Sequence, residues 1–90
     1  MADTRSDVAV PAGVWTDLYA GSTITVGTAV DLFNKGSYPA NICVKATIPS
    51  GISIGIPIEV GAGHNYLHVT AGESGLWAYS ASGTSILVQD

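Results

Sequence analysis

Residues 52–60 read Ile-Ser-Ile-Gly-Ile-Pro-Ile-Glu-Val, with a β-branched apolar residue at every even position and a small, polar, charged or proline residue at every odd one. That is the period of a β-strand, because side chains two apart share one face of a pleated chain. Extended at about 3.3 Å per residue, the run lays down an apolar stripe some 30 Å long. A helix would scatter the same residues around its circumference. Burying each side chain contributes about 1.5–3 kcal/mol, so the stripe is expected to face a second sheet or a second subunit. Pro57 has no N–H to give a ladder, which makes the run an edge strand, a bulged strand, or one broken near Gly55 and Pro57.

The rest of the chain repeats the pattern in shorter pieces. Strands are expected near 7–10, 14–20, 23–26, 29–34, 41–47, 52–60, 66–70, 75–80 and 84–89, with turn clusters such as Pro11-Ala12-Gly13, Asn34-Lys35-Gly36-Ser37 and Ser80-Ala81-Ser82-Gly83 between them. Gly27 suggests a bulge or bend. No window is rich in helix formers without a Gly, Pro or β-branched interruption. The expected fold is therefore all-β, a two-sheet antiparallel sandwich or jelly roll of about eight or nine short strands, with a small barrel as the competing closure. Residues 1–6 form a polar N-terminal arm, and 7–90 a single β domain.

Composition narrows the possible functions. Apolar residues make up 47% of the 90-residue chain and charged residues 11%, well below the roughly 25% charged usage of ordinary soluble domains. A chain this short has little interior, so the apolar excess points to an interface between copies or to docking on a larger assembly. The candidate interface residues are Ile52, Ile54, Ile56, Ile58 and Val60, joined by Trp15 and Trp77. Net charge is −4, and the only basic residues, Arg5, Lys35 and Lys45, are dispersed. Such a chain offers no phosphate-binding patch, and nucleic acid is not an expected partner. Cys43 is the sole cysteine and reads as a buried thiol. The opening residues lack a signal-peptide core, and no run approaches the roughly 18 apolar residues of a membrane span. Synthesis in the cytoplasm without membrane insertion is expected.

No catalytic or cofactor constellation emerges. His64, Tyr66 and His68 would share a strand face, but a metal needs a third or fourth donor that the sequence does not place beside them. Their more natural role is a pH-sensitive contact. There is no Gly-x-Ser-x-Gly elbow and no phosphate loop. Asp17 and Asp31 read as solvent-side strand residues rather than a carboxylate pair. The chain is expected to be no enzyme and to carry no cofactor. Tryptophans and tyrosines could stack on sugars if exposed, although they serve cores and interfaces equally well.

Three stretches carry a resemblance: Ala-Gly-Val-Trp-Thr-Asp-Leu-Tyr-Ala at 12–20, Ala-Val-Asp-Leu-Phe-Asn-Lys-Gly at 29–36, and Gly-Leu-Trp-Ala-Tyr-Ser-Ala-Ser-Gly-Thr-Ser-Ile-Leu-Val-Gln at 75–89. Together they resemble short β-rich virion-associated proteins of tailed bacteriophages. The resemblance implies a homo-oligomeric structural accessory, made in the host cytoplasm and docking on other virion proteins as a capsid decoration or cement protein or on the tail; for the self-association that the apolar composition points to, a trimer is expected first and a dimer next. The alternative it leaves open is a receptor- or carbohydrate-binding tip module of a tail or fibre. Exposed aromatics in one concavity would favour that alternative, and buried ones the structural role.

Overall fold

Strands form where apolar and polar residues alternate, and the computed structural model describes residues 6–51, 55–61 and 63–90. Among these lie β1 (Val8–Val10), β2 (Thr16–Asp17), α1 (Leu18–Ser22), β3 (Val30–Asn34), β4 (Ala40–Cys43), β5 (Ile56–Ile58), β6 (Tyr66–Val69), β7 (Trp77–Tyr79) and β8 (Thr84–Gln89). They make two four-stranded sheets, ordered β1-β8-β3-β6 and β2-β7-β4-β5, with every pairing antiparallel. The pairs β4–β5, β3–β6, β2–β7 and β1–β8 nest inside one another and alternate between the sheets. This is a hairpin folded over on itself, the jelly-roll topology. Among the described strands the sheets do not join into a barrel, because β1 and β6 end one sheet and β2 and β5 end the other.

Alternation sets the core. Val30 and Leu32 of β3, Ile42 of β4, Ile58 of β5, Ala78 of β7, and Ile86 and Val88 of β8 are buried and belong to one cluster between the sheets. Leu76, Ala78 and Ser80 point inward while Trp77 and Tyr79 lie on the opposite face, as the period of two requires.

The expected strand 14–20 is a strand for only two residues before it coils. Asp17 stands at the N-cap and its Oδ1 accepts from the Ala20 N–H at 3.1 Å. Leu18, Tyr19 and Ser22 then fall on one buried side, a helical spacing. Gly21 lets the turn lie against β1, since a Cβ there would meet Val8 Cγ1 at 2.7 Å. Thr23 closes the helix in the left-handed region at φ 60°. The strand expected at 23–26 is therefore absent from the described residues: 23–29 is cap and turn, with the Thr28 N–H bonded to Thr25 O at 3.1 Å. Gly27, at φ 93°, belongs to that turn rather than to a strand bulge. The strand expected at 41–47 ends at Cys43.

The nine-residue stripe at 52–60 is only partly a strand. Ile52 and Ile54 lie outside the described residues, as do residues 1–5 of the expected arm. The described strand is Ile56–Ile58, on a sheet edge where Pro57 is tolerated. Ile58 faces the first sheet and is 1% exposed, whereas Ile56 is 52% exposed at the open flank.

Of the buried polar residues Ser22, Asn34 and Ser80, Asn34 makes the most side-chain hydrogen bonds. Asn34, 2% exposed, closes β3 at an inward position. Its Nδ2 donates to Tyr38 O (2.9 Å) and Ile58 O (3.2 Å), and its Oδ1 accepts from the Gly36 N–H (3.1 Å) and Thr84 Oγ1 (2.7 Å). Replacing Asn34 with Ala strands buried partners, each costing about 1–3 kcal/mol. Urea unfolding of Asn34→Ala is expected to show a loss of about 2–4 kcal/mol. A loss below about 0.5 kcal/mol would mean the network is dispensable.

Candidate functional site

The two tryptophans are used within the chain. Trp15 is buried, packs against Tyr79 at a ring distance of 5.3 Å, and donates from Nε1 to Gly51 O at 2.7 Å. Trp77, half-buried on β7, donates from Nε1 to Lys45 O at 3.1 Å. Both acceptors lie in the connection from β4 to β5. Cys43 stands opposite Trp77 and Asn41 opposite Tyr79, so this connection runs back along the outer face of the second sheet. Gly75 fits beneath it, where a Cβ would collide with Lys45 O. Cys43 faces outward in register yet is 9% exposed, consistent with this cover.

A second feature is the flank where β5 and β6, the edge strands of the two sheets, lie side by side. An open cleft of about 170 Å³ is lined there by Val44, Ile56, Leu67 and Val69 together with His68, Thr70 and Glu73. Val44 and Ile56 are exposed, as is Ile48 in the same connection. Of the candidate interface set, Ile56 thus lies at the open flank, Val60 is exposed beyond β5, and Ile58 and Trp15 are packed inside the fold. The sequence does not separate these roles, because Ile56 and Ile58 share one face and differ only in what lies over them.

The outer face of the first sheet bears two cross-strand rows. Register aligns Leu87, Phe33 and Tyr66 in one, and Gln89, Asp31 and His68 in the other. Phe33 and Tyr66 pack with ring centres 5.0 Å apart and planes tilted by 48°. Asp31 Oδ1 accepts the Tyr66 hydroxyl at 2.6 Å and pairs with His68 Nδ1 at 2.7 Å. The Tyr66 bond first, and then the His68 bond, hold the Asp31 carboxyl below its ordinary range. In return, Asp31 holds the Tyr66 phenol above its ordinary range. An ionised carboxylate only accepts, so Nδ1 carries the proton in this pair. Tyr66 and His68 share a face as the sequence predicts, while the exposed His64 lies in the preceding turn, where its N–H bonds Gly61 O at 3.1 Å. Asp31 is the partner that sequence reading missed, since only the β3–β6 register sets it opposite His68. Among the described residues no group of three or more His, Cys, Asp or Glu side chains could hold a metal, and no helix is long and apolar enough to cross a membrane.

The chain matches no protein-family model, no curated protein and no solved structure.

Because the folded pKa of Asp31 lies below its unfolded value, its bonds stabilise the fold fully above the ordinary carboxyl pKa of 3.8. That contribution is lost as pH falls through the lower, folded value. Asp31→Asn is therefore expected to be less stable than the parent at neutral pH, with the gap closing on acidification. The gap is small because the carboxylate is partly solvated. Thermal melts of both proteins across the acid range measure it, and a gap that widens on acidification would contradict the assignment.

Proposed function

We propose that this chain is a self-associating structural accessory of a tailed-bacteriophage particle, docking on the capsid surface as a decoration or cement protein, or on the tail. The resemblance of residues 12–20, 29–36 and 75–89 to short virion-associated proteins motivates the reading. The observation that carries it is the division of labour among the apolar side chains. Trp15 and Trp77 pin the chain's own β4–β5 connection, whereas Val44 and Ile56 remain exposed in the flank cleft and Ile48 is exposed in the connection itself. Aliphatic side chains bordering a shallow cleft suit burial against another protein surface. A second copy and a particle protein are the partners this reading assigns, with a trimer as the expected stoichiometry.

Docking of this kind runs on apolar burial, so it should persist in high salt, where exposed charge pairs are screened. The protein mixed with particles stripped of it is expected to co-sediment in both low and high salt. Recovery only in the supernatant would remove the docking reading.

Two isoleucines on one strand separate folding from association. Ile58→Lys buries an ammonium in the core, at a cost of several kcal/mol that approaches the whole stability of a domain, and is expected to unfold the protein. Ile56→Lys falls on an exposed position, and its melting midpoint should stay close to the parent's. Its mass by light scattering should drop to that of the monomer and its co-sedimentation should be lost. A parent protein that is already monomeric at high concentration would contradict self-association, and an unaltered Ile56→Lys assembly would place the interface elsewhere.

A further inference from the structure

The two outer sheet faces differ. The chain's own β4–β5 connection, held by two indole N–H bonds, runs over one of them, and the other displays Leu87, Phe33 and Tyr66 beside Asp31 and His68. Tyr66 is 50% exposed, and the Asp31 and His68 side chains are 41% and 51% exposed. The aromatic row and the polar row run next to each other across the same strands.

The Asp31–Tyr66–His68 cluster on this face presents mainly acceptors, while Gln89 in the same row adds a carboxamide that both donates and accepts. Asp31 Oδ1 already takes two bonds, from the Tyr66 hydroxyl and the His68 ring, which fixes the carboxylate and leaves Oδ2 to accept. The Tyr66 oxygen has donated its proton to Asp31, so toward solvent it accepts. In the neutral imidazole with its proton on Nδ1, Nε2 accepts as well. A ligand at this cluster must bring donors. A phosphate, sulfate or carboxylate brings none and meets the Asp31 charge on a chain of net charge −4. An arginine fork needs both carboxylate oxygens, and Oδ1 is already occupied twice. A ligand with single hydroxyl donors on one side and an apolar C–H face on the other uses both rows at once, the C–H face lying against Tyr66 and Phe33.

We propose that the outer face of the β1-β8-β3-β6 sheet binds a neutral pyranose, with Tyr66 and Phe33 as the stacking surface and Asp31 and His68 as hydroxyl acceptors. This goes beyond docking on a particle. It also places sugar recognition away from the tryptophans and on the face turned away from the β4–β5 connection.

Amide-shift titration of the full chain tests it, using methyl glycosides of glucose, galactose and mannose up to about 30 mM, which populates sites with dissociation constants on the order of 1 mM. N-acetylneuraminic acid serves as the anionic probe, and N-acetyl-lysine amide and N-acetyl-arginine amide as the cationic ones. At least one neutral glycoside is expected to move the amides of Asp31, Phe33, Tyr66, His68 and Leu87, with none of the charged probes doing so. Tyr66→Ala and Asp31→Asn should each weaken binding by about tenfold. If Tyr66→Ala fails to fold, Asp31→Asn carries the same comparison, being close in shape and partly exposed. The proposal is overturned if no neutral glycoside moves those amides, if the shifts map to the Val44–Ile56 flank, if Asp31→Asn binds as the parent does, or if a charged probe binds in preference. Co-sedimentation with particles is read separately with Asp31→Asn, so loss of sugar binding and loss of docking are distinct results.

Discussion

The carboxamide of Asn34 is the constraint on which the upper end of the sandwich depends. Apolar packing is non-directional, and two twisted sheets with Val, Ile and Leu between them could slide past each other at modest cost. Asn34 removes that freedom. Its side chain reaches a carbonyl in the β3–β4 turn, a carbonyl at the end of β5, an N–H two residues on, and a hydroxyl at the start of β8. Its backbone exchanges further bonds with Asn65, just before β6. Strands of both sheets therefore meet at one side chain. Aspartate would lack the donors, and glutamine would carry its amide one methylene too far. Such a fully satisfied polar group in an apolar setting specifies one alignment where hydrophobic contacts alone tolerate several.

Much of this architecture is legible in the chain. Where alternation is uninterrupted, at 29–34, 66–70 and 84–89, strands form and inward and outward faces fall as the period demands. Asn34 is itself signalled, because a polar residue occupies the next inward position after Val30 and Leu32. The misreadings have local causes. Leu18-Tyr19-Ala20 looks extended until the Asp17 carboxylate caps the next turn, and a two-residue strand then gives way to a helix. The segment after Cys43 continues to alternate, but the Trp15 and Trp77 indoles capture its carbonyls and draw it across the sheet. Both captures link residues more than thirty positions apart. Asp31 likewise acquires its meaning only from register, since a carboxylate on a solvent face has no special character until His68 and Tyr66 are set beside it.

The same pairings make the molecule two-faced. Indole N–H groups often seek acceptors when they leave water, and here they find them in the chain's own β4–β5 connection, which shelters Cys43. On the opposite side, polar and aromatic rows lie open in register. Between them, the flank of β5 and β6 carries aliphatic residues with few charges nearby. A small subunit with a sheltered face, an aliphatic edge and a patterned open face can be held by its edge while presenting its patterned side outward.

The nesting of the strand pairs bears on how the chain is made. Among the described strands only β4 and β5 pair with a sequence neighbour, and β1 pairs with β8 alone. During vectorial synthesis β1 is made before β8 and waits for it before its hydrogen bonds have a destination. The first sheet cannot close around β8 until the chain through Gln89 has been delivered. High contact order of this kind slows folding, and it leaves Val8, Val10 and the unpaired edges of nascent strands exposed meanwhile. Until β8 has been made, the burial of these side chains is incomplete, and dilution or a chaperone that masks them would favour the nascent chain over aggregation.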